Sequence, residues 1–284
     1  MRAKTLLWII LVSFLPITAY GQTQDDSQVQ ELYVKSGLEN QLHQYPFIIQ
    51  AAFEQASQVD DRVRRLPKNV LSAIKASAHE AFAPAGLKGA VLPELREKLT
   101  AQAIKELLDW LDSPLGKRCT QLEETASTPE GLTGMQEFAS RMQASPPTVQ
   151  RVDTLRKLDS AIKATESAVD VAINTEVAVA FAFVTALPSE QQRPLEDIAR
   201  ELERQRPNIE AMMRSQVLVS FLYTYRTLSD DEIERYIAFA TSPVGSKYHS
   251  VTMAAVKKAL IAGSIKWGRS VGDAIERLKK QSDT

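Results

Sequence analysis

LTAQAIKELLDWLDSPLGKR (residues 99–118) and LSDDEIERYIAFATSPVGSK (residues 228–247) align without a gap at an offset of 129 residues, from Leu99 to Leu228. Leu99/Leu228, Ile104/Ile233, Ser113/Ser242, Pro114/Pro243 and Gly116/Gly245 are identical, and Leu108/Ile237, Trp110/Phe239 and Arg118/Lys247 are conservative. In each copy the apolar positions before the Ser fall at i, i+3, i+4 and i+7: Ile104, Leu107, Leu108 and Leu111 in the first, Ile233, Tyr236, Ile237 and Ala240 in the second. That spacing is one face of an α-helix. Thr100 and Ser229 stand where an N-cap hydroxyl is needed, and Ser229 with Glu232 makes a full capping box.

The shared Ser-Pro-x-Gly has a specific physical reading. One helix ends at Asp112 or Thr241, and Ser113 or Ser242 caps the next by accepting from its free amides. Pro114 or Pro243 then takes the first helical position, where a missing N–H costs nothing. Gly116 and Gly245 let another backbone approach closely. The pattern continues beyond the Gly, where Leu115, Cys119, Leu122 and Ala126 answer Val244, Tyr248, Val251 and Ala255 along one helical face.

A weaker echo pairs Val29-Gln30 with Val149-Gln150 and Leu38-Glu39 with Leu158-Asp159 at an offset of 120, so the second copy carries nine extra residues in its middle. The chain holds only 11 Gly and 13 Pro in 284 residues, clustered between stretches of Ala, Leu, Glu, Gln, Lys and Arg, which are helix formers. Val70, Ile74, Ala78 and Phe82 predict a further helix, and Ala83 through Pro93 reads as a loop because Pro and Gly interrupt helices. Ala144-Ser145-Pro146-Pro147-Thr148 is the linker. The expected fold is all-α: a first helical repeat over 22–143, a linker over 144–148 and a second repeat over 149–284, packed as a multi-helix bundle with pseudo-twofold related halves.

Val169 to Leu187 is apolar enough to raise the question of a membrane span, but Asp170, Asn174 and Glu176 leave only Val177 to Leu187 uninterrupted. A span needs about 20 residues, so the stretch predicts a buried helix; its alternation of large and small residues leaves strand or interfacial structure as alternatives. The N-terminus has Arg2 and Lys4, an apolar run from Leu6 to Ile17 and small residues Ala19 and Gly21. These are the parts of a secretory signal peptide over residues 1–21, cleaved near Gly21, and they imply a periplasmic or secreted product. An uncleaved anchor suits Pro16 and the small pair less well.

The chain without its signal carries 32 basic and 35 acidic residues, a balance that argues against a nucleic-acid binder. One cysteine, Cys119, permits no internal disulfide. Its position on the apolar stripe makes it a core residue rather than a nucleophile, which would need a thiolate and a base. His43, His79 and His249 fall in separate segments without the spacing that puts two metal ligands on one helix face, and His249, aligned with Thr120, reads as solvated. No metal or other cofactor is expected. The corners, with Lys117, Arg118 or Lys247 nearby, suit anions, but packing explains them more simply. Arg62, Arg64, Arg65 and Lys68 read as a solvated basic face, with membrane-surface contact the alternative.

The second corner, Tyr236-Ile237-Ala238-Phe239-Ala240-Thr241-Ser242-Pro243-Val244-Gly245-Ser246-Lys247, preceded by Leu228-Ser229-Asp230-Asp231-Glu232, resembles the domain-of-unknown-function family numbered twenty fifty-nine. The family pattern is an aromatic pair, one residue, then Ser-Pro-x-Gly and a basic residue; this chain has one aromatic, Phe239, followed by Ala240, and Trp110-Leu111 in the first copy. The resemblance covers Leu228 to Leu260 well and Leu99 to Ala126 loosely, and implies an exported bacterial helical protein without assigned activity. The expectation is a non-catalytic binding module of the cell envelope, holding a protein partner or a small apolar ligand between its copies. The alternatives are an envelope hydrolase whose site assembles from distant residues, and a peripheral membrane protein.

Overall fold

The stretches with a helical period form helices, and most breaks between them among the described residues carry a Ser, Thr, Pro or Gly; the break between Ile162 and Ala164 is made instead by Lys163 in the left-handed region, at φ 57°. The computed structural model describes residues 26–59, 67–142, 144–186 and 189–282; residues 1–21, expected to form a signal peptide, and the basic residues Arg62, Arg64 and Arg65 lie outside them. The helices are α1 Asp26–Lys35, α2 Leu38–Val59, α3 Lys68–Ala81, α4 Pro84–Lys98, α5 Ala101–Asp112, α6 Pro114–Ala126 and α7 Pro129–Arg141. After the 144–148 connection come α8 Val149–Ile162, α9 Ala164–Thr185, a 3-10 turn Ser189–Gln191, α10 Leu195–Glu203, α11 Arg206–Thr224, α12 Asp230–Ala240 and α13 Pro243–Ser282. No strand occurs among the described residues, and the protein is an all-α bundle.

Helix α13 is the spine. Its 40 residues extend about 60 Å at 1.5 Å per residue and pack against α9, α3 and α4. The largest core gathers Leu32, Leu42, Phe53, Ile74, Phe82, Val91 and Ile104 from the first half around Ala182, Phe183, Leu260 and Trp267 from the second. Trp267 is fully buried, its indole N–H donates to the Ile74 carbonyl at 2.9 Å, and the rings of Phe53 and Phe82 lie 6.2 and 5.8 Å away. A second core joins Cys119 of α6 to Leu155, Leu158, Phe221, Tyr225, Ile233 and Tyr236. Each of these two cores therefore draws on both halves: α13 covers α3 and α4, while α6 lies against α11 and α12. Each large apolar side chain so buried stabilises the fold by about 1.5–3 kcal/mol before chain entropy is counted.

Both Ser-Pro-x-Gly corners have the same local geometry. The Ser113 hydroxyl accepts from the Gly116 amide at 3.0 Å and the Ser242 hydroxyl from the Gly245 amide at 3.1 Å. A Cβ on Gly116 would collide with the Trp110 carbonyl oxygen, and one on Gly245 with the Phe239 carbonyl oxygen. A third corner of the same chemistry, Thr128-Pro129-Glu130-Gly131, links α6 to α7; the Thr128 hydroxyl accepts from Gly131 at 3.0 Å. The Thr-Pro-x-Gly signal was present in the sequence, unpaired with any second copy.

The segment from Ala83 to Pro93 is a correction to the expected loop: Pro84 to Lys98 is helix α4. Pro84 occupies the first turn, where its missing N–H is harmless, and Leu87, Val91 and Leu95 bury one face. Packing of that face against α13, α1 and α2 outweighs the cost of Gly86, Gly89 and Pro93.

The apolar stretch beginning at Val169 is helix α9, long and apolar enough by length and composition to cross a membrane. It packs against α13, α11, α10 and α2. Its Asp170 carboxylate is paired with Arg206 at 2.5 Å and Lys257 at 3.3 Å, so a charge on this helix is tied to α11 and α13.

Candidate functional site

The two corners meet face to face. Trp110 and Phe239, which occupy aligned positions 129 residues apart in the sequence, stack with ring centroids 4.2 Å apart and planes 7° from parallel, and Tyr236 lies 5.9 Å from Trp110. Behind this aromatic contact is a cavity of about 630 Å³. That volume is the size of a small-molecule site. Leu32, Tyr45 and Ile48 come to it from α1 and α2, Cys119 and Glu123 from α6, Val171 and Thr175 from α9, Met213 from α11, and His249, Thr252 and Val256 from α13. Five pairs of its wall residues are 129 positions apart: Leu107/Tyr236, Trp110/Phe239, Cys119/Tyr248, Thr120/His249 and Glu123/Thr252. Residues at matching positions of the two aligned segments thus face the same space.

The wall is mainly apolar, and its polar residues are of two kinds. Glu123 is held: its Oε1 accepts from the Tyr225 hydroxyl at 2.7 Å and the Tyr236 hydroxyl at 3.3 Å. Burial pushes the Glu123 carboxyl above its ordinary value, partly offset by those two hydroxyls. Some of the others are unheld. Among the described residues, four recessed side-chain polar atoms lack a hydrogen bond, namely Tyr45 Oη, Thr175 Oγ1, Thr252 Oγ1 and His249 Nε2, and all four residues stand on this wall. Gln41 lies beside Tyr45 and Tyr248 beside Thr252, so Thr175 and His249 are the clearest cases. A buried polar group without a partner costs about 1–3 kcal/mol, which is why such groups concentrate where something else supplies the partner.

The cavity opens toward a polar vestibule of about 620 Å³ between the α1–α2 turn and the end of α6. Ser36, Gln41, Gln44, Thr120 and Glu123 belong to both spaces, and Asn40, Glu124 and Thr128 line the outer one. Asn40 donates to Glu124 across it at 3.0 Å.

His249 corrects the sequence reading of a solvated histidine. It is half-buried on the cavity wall, and burial with nearby Lys163 pushes its pKa down to about 4, which keeps the ring neutral. The period of the α13 stripe misplaced it because α8 and α9 also pack against α13, so a position off the stripe is covered too. His43 and His79 are exposed on α2 and α3, and the His43 ring Nδ1 lies 2.8 Å from the Glu39 carbonyl. No group of three His, Cys, Asp or Glu that could hold a metal occurs among the described residues.

Cys119 is 3% exposed and lies in the second core. Burial, then Glu123 and Glu232, pushes its thiol up to about 12 against the weaker pull of Arg118. A nucleophilic cysteine needs the opposite shift. The cations at the first corner are engaged too: Lys117 pairs with Asp112 at 3.4 Å, and Arg118 with Glu232 at 2.7 Å and the Thr227 carbonyl at 2.6 Å.

Glu123 was not singled out from the sequence, Tyr236 only as a position on its helix face, and Thr175 and Tyr225 only as members of the apolar stretches 169–187 and 212–225, expected to line or fill a groove between the halves. A signal for Glu123 was there: it stands four residues after Cys119, a carboxylate beside an apolar stripe. No family model, curated protein or solved structure matches this chain, and the cavity's own chemistry carries the functional reading.

Proposed function

We propose that this protein is an exported, non-catalytic binding protein of the cell envelope, in which two copies of one helical module pack about a pseudo-twofold axis and hold a small, mostly apolar ligand between them. The observation that carries the reading is the coincidence of an apolar-walled cavity of about 630 Å³ with four recessed polar atoms lacking partners. The stacked Trp110/Phe239 pair and the five paired wall positions support the duplication, since a residue near a twofold axis touches its own counterpart. The raised thiol of Cys119 and the neutral, depressed His249 favour binding over hydrolysis. The resemblance of the Ser-Pro-x-Gly corners to family twenty fifty-nine is compatible with an exported helical protein and adds no activity.

The test is titration of the purified protein with N-phenyl-1-naphthylamine, an uncharged fluorophore that brightens in apolar surroundings. Saturable binding at one site is expected, abolished by Ala168→Trp, which fills the cavity, with helicity and melting behaviour retained. A probe that does not saturate, or that binds the folded Ala168→Trp variant as well as the parent, overturns the reading.

A further inference from the structure

The polar part of the cavity wall has a chemical signature beyond its size. Among the described residues that line it there is no lysine and no arginine. Lys163 is near enough to act on His249 but is not on the wall. A carboxylate or phosphate carried into this space would have no counter-charge to meet it, and an unpaired buried charge is the costliest group to desolvate. The single acidic wall residue, Glu123, already receives two tyrosine hydroxyls, and its carboxyl is pushed toward the protonated form by burial.

What the wall does offer is neutral hydrogen bonding: the Thr175 hydroxyl and the His249 Nε2, recessed and without a partner, with the hydroxyls of Tyr45 and Thr252 close by beside Gln41 and Tyr248. A hydroxyl can donate and accept, so this set suits a ligand group that does the same. Most of the rest of the wall is apolar. Val171, Met213, Val256 and Trp110 present no charge, so the rest of the ligand must be apolar.

Resting on the proposed binding function, we infer that the ligand is an uncharged amphiphile, a long aliphatic or alicyclic body bearing one hydroxyl or carbonyl group, and that the cavity rejects the corresponding anion. The polar vestibule beside Glu123 and Asn40 gives such a molecule a route in, its polar end leading or trailing.

The test displaces N-phenyl-1-naphthylamine at pH 8 with three ligands of equal chain length: decan-1-ol, decanoate and decyltrimethylammonium. Decan-1-ol is expected to displace the probe at concentrations at least about tenfold lower than either ion, a factor set by leaving one charged or polar group unmatched. The double variant Thr175→Val, Thr252→Val keeps shape and removes two hydroxyls; it should bind the probe as the parent does and lose about tenfold in decan-1-ol affinity. Decanoate displacing as well as the alcohol means a cation reaches the cavity and overturns the inference. Decyltrimethylammonium displacing best means Glu123 binds as an anion, which also overturns it. An unchanged decan-1-ol affinity in the valine variant overturns the role of the hydroxyls. Failure of the probe to bind the parent protein sinks the binding function itself and is read separately from any of these.

Discussion

The surroundings of Trp267 and the surroundings of Thr175 are both buried among α9 and α13, yet they are opposites. At Trp267 the largest fully buried side chain among the described residues is closed in by Phe53 and Phe82 and its one polar atom is bonded to the Ile74 carbonyl. At Thr175 the hydroxyl has no partner, and the wall encloses space rather than side chains. The first region is packed to hold the chain together; the second gives up stability to leave room. A region that keeps an unfavourable arrangement inside an otherwise satisfied fold is where function is to be sought.

The contrast breaks most visibly at its packed end. Trp267→Ala should cost about 3–5 kcal/mol in urea denaturation, the usual penalty for an emptied aromatic site in a core. A cost under about 1 kcal/mol would mean that the α3–α13 contact yields easily and that Trp267 is not a keystone.

The corners come next. Gly116→Val and Gly245→Val each drive a side chain into a backbone carbonyl, and each should lower stability by about 1–3 kcal/mol. If both variants fold and melt like the parent, the packing account of Ser-Pro-x-Gly fails.

At the cavity the sign changes. Thr175→Val removes an unbonded hydroxyl at constant shape, so stability should stay within about 1 kcal/mol or rise. A clear loss would show that Thr175 has a partner after all, and would erase the contrast with Trp267.

The remaining effect is in the acid range. His249 has its folded pKa depressed from 6.5 to about 4, so its contribution is full above pH 6.5 and is lost as pH falls through 4. Glu94, paired with Lys98 and Lys258, has its carboxyl held down to about 2 from 4.5, so its contribution is lost only between those values. Thermal melting from pH 7 to 5 should therefore weaken in the parent and flatten in His249→Gln. Equal slopes in the two proteins would place His249 in water, as its sequence position suggests.

Much of the helical framework was legible because helix formation is local. Ile104, Leu107, Leu108 and Leu111 mark a face by spacing alone, and Ser113 and Ser242 cap by contacts three residues away. The segment after Ala83 was misread for a reason that is not local: Gly86, Gly89 and Pro93 weaken a helix in isolation, and only burial of Leu87, Val91 and Leu95 recovers it. The candidate site was least legible. Glu123 and Thr175 are 52 residues apart and belong to different halves, and nothing in either neighbourhood announces the other.

By itself, then, the order of residues determined the helices, their caps and the repeated corner, because each depends on backbone groups within a turn or two of the side chain that satisfies them. The tertiary structure alone decided that α13 crosses onto α3 and α4, that Trp110 meets Phe239, and that His249 turns from a surface position into a cavity wall. Those outcomes depend on which apolar faces find one another across a hundred residues and on the space they fail to fill, and neither is written in any single helix.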